Sequence, residues 1–269
     1  MSHYKVLVIH NENQNIEELL APYDENLEVE PYLKYKHNDA IEMIKEEYMP
    51  FNDFLKDYSD DKLLEWFADD CGYYLIDGDI YTTYNPKSKW DYYQIGGRFS
   101  GELELAEEGR LNAVGEIEKK YHIDIDLKNL REDSDYLRYV DTAPLKYIKW
   151  STPLSSTEKE KIRRWWEINI YNMPLKEGEE KDKYFFYKPE YYKRRYKDAE
   201  TDIRVQEAVN FFAVITPDGK WYAPSNMGWW ACTDGEPEDE LKWDLEFYDR
   251  FIKPNLDSDL ICTVVDCHI

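Results

Sequence analysis

The two ends of this chain carry the same kind of segment, a short β-branched run with almost no polar alternation. Residues 4–10 contain Val6, Val8 and Ile9, and residues 260–267 close the chain with Ile261, Val264 and Val265. Runs of this kind suit strands covered on both faces, so both ends are expected to lie at the centre of one sheet. Helical periodicity fills much of the chain between them. The fold class that follows is α+β, a mixed sheet covered by helices, for which a ferredoxin-like arrangement is one candidate.

Local signals place the other elements. Residues 15–20 suit a short helix, and Ile41, Ile44 and Tyr48 recur at helical spacing within residues 39–48. A further helix is predicted over residues 51–68, with Phe54, Leu55, Tyr58, Leu63, Leu64 and Phe67 on its inner face. Residues 73–84 turn β-like around Gly78, and Asn85-Pro86 then marks a turn. Ser155-Ser156-Thr157-Glu158 is a capping-box pattern before Ile162, Trp165, Trp166 and Ile170, and that helix is expected to end before Pro174. Residues 174–182 show no apolar periodicity and read as an exposed loop. Pro217-Asp218-Gly219 joins two strand-like runs as a hairpin. A helix over residues 237–252 would carry Leu241, Leu245, Tyr248 and Ile252 on one stripe. The length of 269 residues is read as one elaborate domain, with residues 143–200 as a helical, locally basic insert.

Charge narrows the function classes. There are 57 Asp and Glu against 34 Lys and Arg, a formal net charge of −23, which opposes generic binding to duplex DNA or RNA. Basic proteins are the favoured partners, a nucleic-acid-binding protein among them. No apolar stretch is long enough for a membrane span, and the first ten residues lack a signal-peptide pattern, so a cytoplasmic protein is expected. Four cysteines are too few for a disulfide framework in a chain of this size.

The motif Trp90-Asp91-Tyr92-Tyr93-Gln94-Ile95-Gly96-Gly97-Arg98 is the main candidate site. Paired glycines permit positive φ or close approach of another group, and an arginine supplies a planar fork of donors for a carboxylate or phosphate. With Trp90 or Trp229 as a flat wall for a base, and Trp230 among the candidate contacts, the motif could hold a nucleotide; it could equally be a tight β turn, with Arg98 buried against Asp91. Strand pieces on both sides of the glycines would make that turn a hairpin or a bulge. Lys193, Arg194 and Arg195 lie among tyrosines and could bind single-stranded nucleic acid, or pair with the protein's own carboxylates. Asp77 and Asp79 could share one strand face toward a cation, or belong to a solvated loop. Cys262, Cys267 and His268 are close in sequence, but Cys267 and His268 fall on opposite strand faces, so no metal or cofactor is expected. Asp266, Cys267 and His268 could line an active site only if a partner orients the imidazole.

Five segments together resemble a family of uncharacterised bacteriophage and prophage proteins: Leu20-Ala21-Pro22-Tyr23-Asp24-Glu25-Asn26 after the opening strand, residues 84–98 from Tyr84-Asn85-Pro86 through the Trp90–Arg98 motif, Val214-Ile215-Thr216-Pro217-Asp218-Gly219-Lys220-Trp221, Met227-Gly228-Trp229-Trp230, and the ending Thr263-Val264-Val265-Asp266-Cys267-His268. The resemblance implies accessory work in an infected host cell. Two functions are therefore expected: a non-enzymatic acidic inhibitor of a basic host defence protein, or a nucleotide-binding sponge or phosphoesterase built on Gly96-Gly97-Arg98.

Overall fold

The computed structural model describes residues 2–107, 138–181, 188–228, 230 and 232–269. Its helices and strands form an α+β fold around a mixed sheet, and the two ends of the chain are its central strands. Strand β1 (His3–His10) pairs antiparallel with β11 (Ile261–His268) along its whole length, Val6 opposite Val265. On its other side β1 pairs parallel with β9 (Ala213–Ile215), which forms the expected hairpin with β10 (Trp221–Tyr222). The far edge of β11 is shared. Strand β5 (Tyr92–Ile95) takes its C-terminal half, and β8 (Thr142–Pro144) its N-terminal half.

The chain divides into two compact units. Ala21–Ser88 forms the smaller, and the chain on either side of it forms the larger, which includes residues 143–200. In the smaller unit, β2 (Tyr32–Tyr35), β4 (Asp79–Thr82) and β3 (Tyr74–Ile76) form a three-stranded antiparallel sheet with β4 in the middle. Helices α2 (His37–Met43) and α3 (Asp60–Cys71) contribute Ala40, Ile41, Leu63, Leu64 and Phe67 to its core, and the π-helical turn after α2 adds Ile44. The helix expected over residues 51–68 is shorter than its apolar pattern suggested. Two 3-10 turns occupy residues 49–57, and α3 begins at Asp60 with the Ser59 side chain accepting from the Lys62 amide. Phe54 consequently lies outside the regular helix and is exposed.

In the larger unit, α1 (Ile16–Leu20) follows β1 directly. Two-residue strands β6 (Leu103–Glu104) and β7 (Tyr139–Val140) pair with each other. Helix α4 (Ser156–Asn169) starts with both reciprocal hydrogen bonds of the capping box, and α5 (Pro189–Tyr196) and α6 (Ala199–Glu207) follow. Helix α7 (Pro237–Phe247) continues into a π-helical turn over Tyr248–Ile252. Leu241 is buried, and Trp243, Phe247, Phe251 and Ile252 form a stripe that packs with Leu7, Ile9, Cys262 and Val264 of the central strands. Leu245 is only half-buried and Tyr248 is exposed, so the expected stripe was rotated. No helix among the described residues is long and apolar enough to cross a membrane.

Candidate functional site

Direct cross-strand partners share a face of a sheet. On one face of β1 and β11, Leu7, Ile9, Cys262 and Val264 belong to the apolar core that includes α7. Two residues further along each strand, that same face becomes polar. Lys5 sits opposite Asp266 and His3 opposite His268, while β5 places Gln94 beside Asp266 and Tyr92 beside His268. Tyr92 and Gln94 are exposed, and His3 and His268 retain side-chain exposures of 19% and 14%. The sheet therefore has an open polar end, and the Gly96-Gly97-Arg98 turn borders it.

Two buried carboxylates explain the paired glycines. Gly96 has φ +67°, and a Cβ there would lie 2.3 Å from Asp141 Oδ2; Gly97 has φ +54°, and a Cβ there would lie 2.6 Å from Asp266 Cβ. Both distances are far inside van der Waals contact, so neither position accepts a side chain without moving an aspartate. Asp141 accepts from the Gly101 amide at 2.6 Å and the Ser100 hydroxyl at 3.0 Å. Asp266 accepts from the Arg98 amide at 2.9 Å and from His3 Nδ1 at 2.8 Å. The close approach anticipated from the sequence is made by the protein's own carboxylates. Nor is the turn a hairpin: β5 pairs with β11, whereas β6 pairs with β7.

The imidazoles form a matched pair. His3 Nδ1 meets Asp266, and His268 Nδ1 meets Asp91 Oδ1 at 2.6 Å. A carboxylate only accepts, so each Nδ1 is the donor to its carboxylate and each Nε2 is turned away from it. The two rings pack edge to face with centroids 4.8 Å apart. Neither Nε2 has a hydrogen-bond partner among the described residues. Asp91 thus orients His268 instead of pairing with Arg98, and it supplies the orienting partner that the sequence left open. His3 and Asp141 were not anticipated. A cross-strand partner 265 residues away has no local signature, although the antiparallel pairing of the two terminal strands brings His3 beside His268.

Arg98 is exposed, and its guanidinium has no hydrogen bond or ion pair among the described residues. Trp90 is buried and packs edge-on against Tyr93 at 5.0 Å, so it forms core and not a ligand wall; its indole nitrogen lacks a partner among the described residues. Trp230 is 80% exposed with φ +61°, and Trp229 lies outside the described residues. Cys267 faces away from His268, and burial pushes its thiol well above the usual range. Among the described residues no group of His, Cys, Asp or Glu has metal-binding geometry.

The remaining candidates have structural roles. Asp77 and Gly78, with φ +51° and +87°, make the tight turn between β3 and β4, and Asp79 accepts from the His37 amide at 2.8 Å. Arg194 pairs with Glu236 and Glu238, and buried Arg195 with Glu240 and Asp244, so these cations serve the protein's own acids. Tyr184 to Tyr187 lie outside the described residues. No protein-family model, curated protein or solved structure matches this chain.

Proposed function

We propose that the open end of the sheet is a metal-independent acid–base site for a small phosphodiester, a nucleotide phosphoesterase with His3 and His268 as the proton-transfer groups. The observation that supports it is the pair of facing imidazoles, each held at Nδ1 by its own carboxylate with Nε2 presented. That is the arrangement in which one ring takes a proton while the other gives one. One Nε2 removes the proton of a water whose oxygen forms the new P–O bond. The other ring enters as the imidazolium and gives its Nε2 proton to the leaving oxygen as the old P–O bond breaks, so the pair ends with the proton on the first ring. Arg98 supplies donors for a non-bridging phosphate oxygen, and Tyr92, beside His268, offers an exposed ring for a base. The charge of −23 opposes a polyanion far more than a ligand of one or two charges, which points to a single cyclic nucleotide in preference to nucleic acid.

The test is hydrolysis of a cyclic nucleoside monophosphate and of bis-nitrophenyl phosphate in the presence of a chelator. The expected pH–rate profile is bell-shaped. His3→Gln and His268→Gln should each lower kcat by about 100-fold or more, and the double variant should lose little beyond either. Arg98→Lys should raise KM chiefly, because the bidentate fork is lost. Absence of turnover by the native protein, or full turnover by the double histidine variant, would overturn the reading.

A further inference from the structure

The smaller unit carries a second feature, independent of the imidazole pair. Strand β3 (Tyr74–Ile76) is an edge of its sheet among the described residues, because β4 pairs on one side of it and no described strand pairs on the other. Natural edges are usually blunted by lysine, proline or a bulge. This one is not. Tyr74, Leu75 and Ile76 are all exposed, at 48%, 40% and 44%, and no lysine or arginine occurs between Lys62 and Lys87. The same interval holds Glu65, Asp69, Asp70, Asp77 and Asp79. Across Ala21–Ser88 there are 17 acidic against six basic side chains, a net of −11.

The edge also adjoins a cavity. At the end of the β3–β4 hairpin away from its Asp77-Gly78 turn, Cys71 to Tyr73 and Thr82 to Tyr84 border a space of about 500 Å³. Glu25 and Glu28 line it as well, with Lys34 as its one cation. A cationic side chain would gain carboxylates there while its own backbone paired along β3.

We infer that β3 is a docking edge for an extended basic segment of another protein, which adds a strand beside residues 74–76. Three properties define this occupant. Unpaired backbone groups call for a strand, exposed Tyr74 and Ile76, which share a face, call for apolar side chains at alternate positions, and the acids at both ends of β3 call for lysine or arginine between them. In the phage setting that the sequence resembles, a basic host protein would supply such a segment.

The probe is a synthetic peptide of alternating lysine and valine, titrated into the full-length protein at low and raised salt while backbone amide shifts are followed. The expected result is perturbation centred on residues 74–76, with affinity falling at least tenfold as salt rises. Asp69→Lys with Asp70→Lys, a change of two exposed positions, should weaken binding by a similar factor. The same peptide N-methylated at every residue has no backbone N–H to give to the edge on either side, and should not bind. Equal binding of the N-methylated peptide, perturbation elsewhere, or no binding of the unmodified peptide would overturn the assignment. None of these changes touches His3, His268 or Arg98, so hydrolysis measured on the same samples tests the other reading separately.

Discussion

Two positive-φ glycines near one turn separate conformational strain from steric exclusion. At Gly101, φ is +75° and a Cβ would lie 3.5 Å from Tyr139 Cβ, an ordinary contact. Gly101→Ala should therefore cost only the left-handed penalty, about 1 to 2 kcal/mol. Gly97→Ala adds a collision with Asp266 at 2.6 Å, in the middle of a strand that cannot retreat. Its cost should be larger, about 3 kcal/mol or more once overpacking is included. Equilibrium urea unfolding of both variants checks this, and equal losses would contradict the steric account. The paired glycines were conspicuous in the sequence, but the reason for them was not. Asp141 and Asp266 are 45 and 169 residues further along the chain, so what fills the space over Gly96 and Gly97 depends on sheet register.

His10, on β1, supports a second residue-scale prediction. Its Nε2 lies 3.0 Å from Thr263 Oγ1 and its Nδ1 2.9 Å from the Asn11 carbonyl. Burial lowers its pKa below 6.5, outweighing the Asn11 contact. The unfolded chain then binds this proton more readily than the folded one, so stability rises with pH across that interval and is lost as pH falls through the unfolded value. Thermal unfolding of native protein and His10→Asn between pH 7 and pH 5 should show a shallower acid loss in the variant. An unchanged slope would show that His10 does not contribute.

At the scale of elements, legibility followed the range of the interactions. The start of α4 was read correctly because its cap is a four-residue circuit: Ser155 Oγ accepts from the Glu158 amide and Glu158 reaches back to the Ser155 amide at 2.8 Å. Ser155→Ala should destabilise the protein by about 1 kcal/mol, measurable as a shifted urea midpoint with unchanged slope. The β9–β10 hairpin was legible for the same reason, since Pro217-Asp218-Gly219 sets its own geometry. The stripe of α7 was not. Its π-helical turn over Tyr248–Ile252 winds more slowly than an α-helix and brings Phe251 into line with Trp243 and Phe247. Residues 51–58 misled for a related reason: apolar side chains recur at helical spacing there, yet Asn52, at φ −134° and ψ 85°, and the extended Tyr58 interrupt the run and leave a 3-10 turn between them.

For the whole molecule, the β-branched ends determined that two strands would be buried at the sheet centre, since a run without polar positions has no solvated face to offer. Local chemistry likewise determined the α+β character, the principal turns and the acidic surface. Only the tertiary structure decided which side chains meet. Antiparallel pairing of β1 with β11 set His3 against His268, the shared edge of β11 brought Asp91 to one imidazole, and the Gly96-Gly97 turn closed over the carboxylate that holds the other. A one-residue slip in that register would turn every one of these groups to the opposite face, and register between segments so distant is set by packing across the sheet and not by anything in either strand alone.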